Sequence, residues 1–424
     1  MSSGANSTAG AAFLKRFYSP EFVINTISKK ESRLLNLIDH KTDGAGDSYN
    51  FLSVAGDNPS GSANFADAQE RGQNAQSAGF QFKVDWYNDF QAPSVSKEQI
   101  AKTRNMKGGW IPVLKHEIDS ALRYSAHRRS VALYNSGFGE LATITNGVAG
   151  TTITLGNPRT GAADRSMAFR FVKGMKLVLA STISASALRT GGTGALTVTK
   201  VDYSSGVITV DQVITAGFAT AANGDVIFTK GDRQDSVTPA RLRPAGLTAW
   251  VPTTAPSAAE NFYGNDRTSN SFLYGWIIDG TTSGKPLSQC LVEAANLCST
   301  VGHAERLVAA VSVDKFIELA NSMEDKQYCE ITGRGGTGYK TIVVYADGVE
   351  LPVISDMYCP NSEAYVLDPK AIKHPSIGNA PHIDDADGNG VLRQSADAGL
   401  EARTEAFECF TNENAAATAV IKLA

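Results

Sequence analysis

The chain has 424 residues, a formal net charge of -4 at pH 7, 19% charged residues and 39 glycines. This length can bury a large core and is typical of two or three domains, while the composition excludes disorder along the whole chain. Binding to nucleic acid through its phosphates needs clustered positive charge, and the slight negative charge gives no support for it.

The cysteines and the hydropathy pattern exclude further classes of protein. There are five cysteines, an odd number, and none forms a C-x-x-C pair. We therefore expect reduced, mostly buried thiols rather than a disulfide framework or a zinc site. No window reaches eighteen apolar residues, and the N-terminus has no basic segment leading into an apolar core. Neither a membrane span nor a secretion signal is expected.

The N-terminal part of the chain predicts an arm followed by an extended loop. Residues 1–45 start small and polar, and a helical pattern follows from Pro20; an ordinary core helix is the alternative. Within residues 46–107, Asp47–Val54 and Phe80–Phe90 predict two strands that flank a polar tip without secondary structure. An isolated two-stranded ribbon is only marginally stable in water, so its apolar face needs a partner surface.

The middle of the chain predicts a long helix and then a β domain. Residues 108–138 carry the longest helical stripe of apolar side chains, ended by Asn135-Ser136-Gly137. Residues 139–236 contain short alternating strands separated by glycine turns, which predicts a small β-barrel or sandwich. Residues 237–285 are rich in loops and aromatic side chains and predict a connector.

The C-terminal part predicts a compact α+β region. In residues 286–378 we expect a helix over Pro286–Leu297, a strand, and a short helix over Val313–Met323 that Ser312 caps. Three short strands follow within Tyr339–Ile372, because apolar runs there are separated by turn formers. In residues 379–424 the pattern predicts two more strands, Thr404–Phe410 and Ala419–Leu423.

Three motifs suggest chemistry but lack the required context. Gly333–Gly338 fits G-x-G-x-x-G, yet a strand follows it, whereas a dinucleotide site needs a helix there. Asp385–Gly390 opens like a calcium loop, but Ala396 occupies the position of the bidentate glutamate. His116-Glu117 begins like a zinc-protease helix without the second histidine. We predict no catalytic, metal or cofactor site.

Taken in order, these segments resemble a known family. The runs Leu351-Pro352-Val353-Ile354 and Ala364-Tyr365-Val366-Leu367-Asp368-Pro369 resemble the axial domain of major capsid proteins of tailed bacteriophages, which have the Hong Kong 97-like coat fold. The long helix directly after an extended loop resembles the spine helix of that fold. The resemblance implies an α+β fold with these parts: N-terminal arm (1–45), extended loop or β-hairpin (46–107), spine helix of the peripheral domain (108–138), inserted β-barrel or sandwich domain (139–236), connector of the peripheral domain (237–285), axial domain (286–378) and return strands of the peripheral domain (379–424).

The resemblance also implies a structural function and not an enzyme. The chain would be a major capsid protein that self-assembles into hexamers and pentamers of an icosahedral head enclosing double-stranded DNA. The extended loop would contact the adjacent subunit through Phe80, Phe82, Lys83 and Trp86, and we expect the three aromatic side chains to be buried only in the assembled shell. A hairpin folded back on its own domain is the alternative. Arg334 and Tyr339 would lie in an axial-domain loop.

The partners implied are other copies of the chain, a separate scaffolding protein, a portal and a decoration protein. The DNA would be enclosed without sequence-specific binding, and no membrane is involved. The location would be the virion capsid, assembled in the cytoplasm of the host bacterium. Some members of the family crosslink a loop lysine to an asparagine, but no motif supports Lys83 and Asn412 as such a pair, and we predict no crosslink. The rival interpretations are another phage structural or decoration protein, or an α+β enzyme whose β domain binds substrate.

Overall fold

The computed structural model describes residues 32–54, 60–74, 79–95, 110–233, 240–257, 261–268, 270–324, 342–346, 348–384, 392–393 and 400–423. Helices and strands both contribute extensively, which confirms the predicted mixed α+β class. The described helices are α1 (Phe65–Asn74), α2 (Trp110–Leu133), α3 (Ile214–Gly217), α4 (Leu247–Trp250), α5 (Gly280–Ser283), α6 (Leu287–Thr300) and α7 (Val313–Glu324). None of these helices is long and apolar enough to cross a membrane.

The strands of the described residues run through most of the chain. They are β1 (Asp39–Lys41), β2 (Ser48–Val54), β3 (Gly79–Asp85), β4 (Tyr87–Gln91), β5 (Ser94–Val95), β6 (Glu140–Asn146), β7 (Thr152–Gly156), β8 (Lys176–Ala180), β9 (Leu196–Asp202), β10 (Val207–Val210), β11 (Val226–Thr229), β12 (Trp276–Asp279), β13 (Val308–Val311), β14 (Ile342–Ala346), β15 (Val349–Ser355), β16 (Glu363–Leu367), β17 (Ile372–Pro375), β18 (His382–Ile383), β19 (Leu392–Arg393), β20 (Leu400–Glu401), β21 (Thr404–Glu408), β22 (Thr411–Asn412) and β23 (Thr418–Lys422).

The chain divides into two compact units, and each is assembled from three separate segments. The first unit comprises Met1–Gly44, Trp86–Ala245 and His374–Cys409. The second unit comprises Ala45–Asp85, Gly246–Lys373 and Phe410–Ala424. Strands that are distant in sequence therefore pair within each unit.

The first unit contains a closed barrel with the strand order β10-β7-β6-β11-β8-β9. This confirms the predicted small barrel or sandwich and identifies it as a barrel. The turn between β9 and β10 shows why the sequence folds this way: Gly206 adopts a φ of 71°, and a Cβ there would lie 2.8 Å from the Arg165 Cα. Glycine satisfies both constraints, and Asp202 Oδ1 accepts the Ser204 N–H to complete the turn.

The same unit contains the long helix and two small sheets. Helix α2 has 24 residues and is about 36 Å long. Ile118 and Leu122 lie on its buried face. Beyond the helix, Gly137 adopts a φ of 92°, which a side chain would disfavour. The sheets have the orders β18-β21-β4 and β19-β20-β5, so the C-terminal strand β21 pairs with β4 from before the helix.

The second unit is built around a six-stranded sheet with the order β12-β23-β16-β13-β15-β14. Two neighbouring pairs are parallel, β12 with β23 and β13 with β15. Helix α6 covers the sheet with small and medium side chains, and its Leu291, Ala294 and Ala295 are fully buried. Small residues at these positions let the helix backbone approach the strands closely.

The six-stranded sheet takes its strands from three of the predicted segments. Strand β12 comes from the predicted connector, residues 237–285, and β23 comes from the predicted return strands, residues 379–424. Both belong to the same sheet as the strands of the predicted axial domain. The physical reason is burial: β23 pairs on both edges, and its Ala419, Val420 and Ile421 are at most 1% exposed.

The prediction of one strand over Phe80–Phe90 was wrong. The structure ends β3 at Asp85 and starts β4 at Tyr87, and the two strands pair with different partners, β2 and β21. The alternation of buried residues shifts by one at this point, since Phe82 and Val84 are buried before it and Tyr87 and Asp89 after it. The loop tip was also predicted to lack secondary structure, whereas residues 65–74 form helix α1.

Candidate functional site

The ribbon of β2 and β3 has two faces of different character. The strands are antiparallel and in continuous register, with Phe51 opposite Phe82 and Leu52 opposite Gln81. Because side chains alternate along each strand, Phe51 and Phe82 share one face, and Leu52 and Gln81 share the other. The two faces can therefore serve different purposes.

The inner face is anchored by aromatic contacts within the second unit. The rings of Phe51 and Phe82 stack with centroids 5.2 Å apart, and Phe82 meets Trp250 edge-on at 5.6 Å. Trp250 also packs against Phe262 at 4.8 Å. Backbone contacts reinforce the anchor, since the Asn265 side-chain amide donates to the Gln81 carbonyl at 2.8 Å. The base of the ribbon is fixed to its own chain.

This anchoring corrects the expectation that Phe82 is buried only in an assembled shell. Phe82 is 2% exposed in the single chain because Trp250 and Phe51 already cover it. Phe80 lies two residues further along the same face and is half-buried. Trp86 lies beyond the end of β3 and is also half-buried; a Cβ on Gly44 would lie 2.5 Å from its ring. The contact of these residues with a neighbouring subunit stays a prediction.

The outer face of the ribbon is exposed and partly apolar. Leu52 and Val54 are 65% and 66% exposed. They are interleaved with polar neighbours on the same face, among them the exposed Lys83. Phe65 at the start of α1 is 83% exposed. Leu52 and Val54 are next neighbours on one face of a strand, and exposed apolar side chains grouped on one face are typical of a surface that another protein covers.

The other predicted site residues differ in what the structure says of them. Arg334 and Tyr339 lie outside the described residues. Asn412 is buried, and its side-chain amide donates to Thr418 Oγ1 at 3.1 Å, whereas Lys83 is exposed. The absence of a crosslink between Lys83 and Asn412 stays a prediction.

A buried charge cluster in the first unit ties α2 to the C-terminal strands. Arg129 Nε donates to Glu408 Oε2 at 2.7 Å, and His374 Nε2 lies 3.1 Å from the same oxygen. Burial would raise the pKa of Glu408, but Arg129 and His374 outweigh it and hold that pKa well below its usual range. Burial lowers the pKa of His374, and burial with the charges of His374 and Arg129 lowers the pKa of His40 to about 3.

A second cluster joins α2 to β4 and to residues that follow the barrel. Asp89 Oδ1 accepts from Arg128 Nε at 2.8 Å and from Arg243 Nη1 at 3.0 Å, and Arg128 also donates to Asp232 at 2.8 Å. Burial opposes the charged form of Arg128, but the two carboxylates raise its pKa above the usual value. Both clusters fix elements to one another and have the geometry of structural ion pairs.

The described residues contain no group of three or more His, Cys, Asp or Glu side chains that could hold a metal ion. The cysteines Cys290, Cys298, Cys359 and Cys409 are buried, and burial raises the pKa of Cys298 to about 12. A thiol with such a pKa is a poor nucleophile at neutral pH.

Sequence reasoning missed the outer face of the ribbon and the tryptophan that anchors its inner face. The alternation of β2 contained a signal, because Leu52 and Val54 fall on the face opposite to Phe51. No local signal could identify Trp250 as the anchor, since it lies far away in the sequence.

Comparison with known proteins gives only structural likenesses. No protein-family model and no curated protein matches the chain. The chain is similar to the cyanophage A-1(L) capsid asymmetric unit, with 13% identity, a TM-score of 0.49 and 92% of each chain covered. It is similar to the capsid of a native GTA particle, with 11% identity, a TM-score of 0.43 and coverage of 92% of this chain and 89% of that chain. A third likeness is to the SrpI encapsulin complex of Synechococcus elongatus PCC 7942, with 10% identity, a TM-score of 0.43 and coverage of 94% and 88%.

Proposed function

We propose that the chain is the coat subunit of a tailed-bacteriophage head with the Hong Kong 97-like fold. Copies assemble into hexamers and pentamers of an icosahedral shell that encloses double-stranded DNA. The order of elements supports this proposal: a ribbon with a long tip, a helix of 24 residues, a barrel, and a mixed sheet covered by a helix. This is the order that the family resemblance of the sequence implies.

The observation that carries the proposal is the two-faced ribbon. Its inner face is fixed by Trp250, while its outer face leaves Leu52 and Val54 about two-thirds exposed. Because the inner face is anchored to its own chain and the outer face is exposed and partly apolar, the ribbon is suited to lie across a second copy of the chain. Each such contact is small, but a closed shell repeats it in every subunit, and avidity makes the sum strong.

The partners follow from this function. A separate scaffolding protein directs the curvature of the shell, a portal occupies one vertex, and a decoration protein binds outside. The formal net charge of -4 suits a subunit that encloses DNA without gripping it by sequence. Assembly takes place in the cytoplasm of the host bacterium, and the mature location is the virion.

The test compares assembly of the unchanged protein with that of two matched double variants. Leu52→Glu/Val54→Glu places two charges on the outer face of the ribbon. Val172→Glu/Val213→Glu changes in the same way two valines, each 38% exposed, that lie between strands of the barrel. Each protein is expressed with its neighbouring phage genes and examined by negative-stain electron microscopy and light scattering. We expect shells from the unchanged protein and the barrel variant, and only small oligomers from the ribbon variant.

The two parts of the proposal fail separately. A monodisperse monomer or dimer of the unchanged protein under every condition would overturn the coat function. Normal shells from the ribbon variant would overturn the role of Leu52 and Val54 and leave the coat function standing. Urea unfolding of the unassembled ribbon variant provides the control, because the exposed substitutions should leave its midpoint nearly unchanged.

A further inference from the structure

The ribbon of β2 and β3 has two backbone edges, and its hydrogen bonds show which groups point out of each. The Lys83 N–H donates to the Tyr263 carbonyl at 3.4 Å, and the Asn265 side-chain amide donates to the Gln81 carbonyl at 2.8 Å. The backbone groups of Gln81 and Lys83 therefore point away from β2, and those of Phe82 point toward it, because the direction alternates along a strand. The outer edge of β3 is thus occupied by its own chain.

The same alternation fixes the groups on the outer edge of β2. Asn50 lies opposite Lys83, and Leu52 lies opposite Gln81. Residues opposite each other in an antiparallel pair point their backbone groups either both toward each other or both away. The N–H and C=O groups of Asn50, Leu52 and, by alternation, Val54 therefore point out of the ribbon. In the described part of the chain no hydrogen bond reaches these backbone groups, so the edge is open.

This open edge lacks the features that prevent pairing. Natural proteins protect free strand edges with lysine, proline or a bulge, because unpaired N–H and C=O groups attract other strands. Strand β2 has the sequence SYNFLSV, which contains no charged residue and no proline. Its register with β3 is continuous, without a bulge. The edge is therefore suited to accept a further strand.

Strand β2 is complementary to itself. When two copies pair antiparallel about a twofold axis with their Leu52 residues opposite each other, Asn50 of each copy lies opposite Val54 of the other. The two leucine side chains then cover each other, and no like charges meet across the edge. The pairing provides up to about six backbone hydrogen bonds. It uses the open edge of both copies at once, whereas pairing with a different strand leaves one β2 open.

We propose that β2 pairs edge to edge and antiparallel with β2 of a second copy of the chain, forming a four-stranded sheet across a twofold axis. The strand order is β3-β2-β2-β3. Its outer face joins the exposed Leu52 and Val54 side chains of both copies into one apolar surface. The inference deepens the proposed coat function and rests on it for its place in the shell, because an icosahedral shell has twofold axes between its hexamers and pentamers.

The first test is disulfide crosslinking of a variant with one added cysteine, both as soluble chain and in assembled shells. Leu52→Cys places two new thiols opposite each other, with Cα atoms about 5.5 Å apart, which a disulfide can span. Gln81→Cys is the matched control, because Gln81 is exposed on the same face and lies opposite Leu52. Its two copies lie three strand spacings apart, about 14 Å. Under mild oxidation we expect covalent dimers from Leu52→Cys, and from Gln81→Cys no more than the unaltered protein gives.

Two substitutions at Asn50 test whether backbone groups carry the contact. Asn50→Pro removes the outward N–H, whereas Asn50→Ala removes the same side chain and keeps the N–H. Both are combined with Leu52→Cys. We expect Asn50→Pro to lower the rate of dimer formation about tenfold, because each copy loses one hydrogen bond across the edge, and Asn50→Ala to leave the rate nearly unchanged. Equal rates in the two variants would overturn pairing through the edge.

The outcomes separate this inference from the coat function. Shells of Leu52→Cys without dimers would overturn the pairing and leave the coat function standing. Dimers in a soluble chain that never forms shells would support the pairing and overturn the coat function. A chain that gives neither shells nor dimers would overturn both. Equal amounts of dimer from Leu52→Cys and Gln81→Cys would indicate random collision and overturn the pairing.

Discussion

His40 and His374 lie with their ring centroids 4.7 Å apart, and His374 is fully buried beside Glu408 and Arg129. Burial removes both rings from water, which disfavours their charged forms, and protonating either ring would also place a new positive charge near Arg129. The folded state therefore disfavours the charged form of both histidines, and the pKa of each is lowered. This local arrangement makes stability depend on pH.

We predict that the unassembled protein loses stability as the pH falls below about 6.5. The unfolded state takes up protons on these histidines from there downward, while folded His40 does so only near its pKa of about 3. The stabilising contribution of these histidines is therefore fully present above the pKa of the unfolded state, and it is lost progressively as the pH falls below that value. Glu408 adds to the loss at lower pH, because its depressed pKa makes the folded state resist protonation.

Urea midpoints measured between about pH 4 and pH 8 test this prediction. Replacing His40 with Gln should reduce the slope of the free energy of unfolding against pH by up to about 1.4 kcal/mol per pH unit. His303→Asn is the matched control, since His303 is exposed and its φ of 51° suits asparagine. A slope that His40→Gln leaves unchanged would contradict the role assigned to this ring.

The pair of Arg129 and Glu408 allows a second prediction at this scale. Both side chains are at most 3% exposed, so removing one charge leaves the other buried without its partner. Glu408→Gln should lower the free energy of unfolding by about 3–5 kcal/mol. The double variant Arg129→Met/Glu408→Gln should cost less than the sum of the two single variants. Urea unfolding of Glu408→Gln, Arg129→Met and the double variant gives the coupling energy between the two side chains.

The surface pair of Arg403 and Glu401 is the control for that experiment. The Arg403 and Glu401 side chains are 55% and 17% exposed, so water reaches the pair, and pairs of this kind contribute about 1 kcal/mol or less. Glu401→Gln should therefore change the midpoint little. If Glu401→Gln and Glu408→Gln lowered the free energy of unfolding by similar amounts, burial would not be the reason why the pair of Arg129 and Glu408 is important for stability.

The residues of the candidate site could be predicted only in part. Alternation along the sequence correctly grouped Phe80 and Phe82 on one face of a strand. It could not say whether the surface covering Phe82 belongs to the same chain or to another copy, because both give the same pattern. Asp89 shows the opposite difficulty: it is a buried charge whose partners Arg128 and Arg243 come from later in the chain.

At the scale of elements, the short helix α7 was predicted with its cap. The Lys315 N–H donates to Ser312 Oγ at 3.2 Å, and Ser312 is 1% exposed. The hydroxyl satisfies one of the N–H groups that the first turn of a helix leaves without a partner. A local signal was sufficient here because the cap involves only residues three positions apart.

Ser312→Ala should destabilise the protein by about 1 kcal/mol. The measurement is the shift of the urea midpoint of the unassembled chain. Ser322→Ala serves as the control, because the hydroxyl of Ser322 lies near the other end of the helix, where it donates to the Leu319 carbonyl. An equal effect of the two substitutions would argue against a capping role.

The boundary between β3 and β4 could not be predicted in the same way. Apolar residues continue to alternate through Trp86, so the sequence indicates one strand. The break arises because β3 pairs with β2 while β4 pairs with β21, from the C-terminal part of the chain. Such pairing depends on non-local partners, which a window of neighbouring residues does not contain.

At the scale of the whole molecule, the structure groups segments that lie far apart in the sequence. The barrel forms from one continuous stretch of sequence, and its class was correctly predicted. The six-stranded sheet instead collects β12 and β23 from either side of the predicted axial segment. Each unit contains three separate segments, and no composition change marks where the chain leaves one unit for the other.

This grouping predicts the effect of a small truncation. A chain that stops before Thr418 lacks β23, which lies between β12 and β16 in the sheet. Both neighbours would lose their hydrogen bonds, and the core would lose Val420 and Ile421, which are fully buried. We expect no cooperative unfolding and little soluble protein. A chain that stops after Leu423 keeps the strand and the bond from Leu423 N–H to the Ser362 carbonyl, and should fold normally.

Strand β23 also determines when the six-stranded sheet can become complete. It is the last strand of its sheet to leave the ribosome, although it occupies an interior position between β12 and β16. Until translation has passed Lys422, those two strands keep open edges, which are vulnerable to proteases and aggregation. A polypeptide released early by the ribosome therefore stays unfinished and is open to degradation. The position of one late strand thus favours chains that contain β23 in any structure that the protein builds.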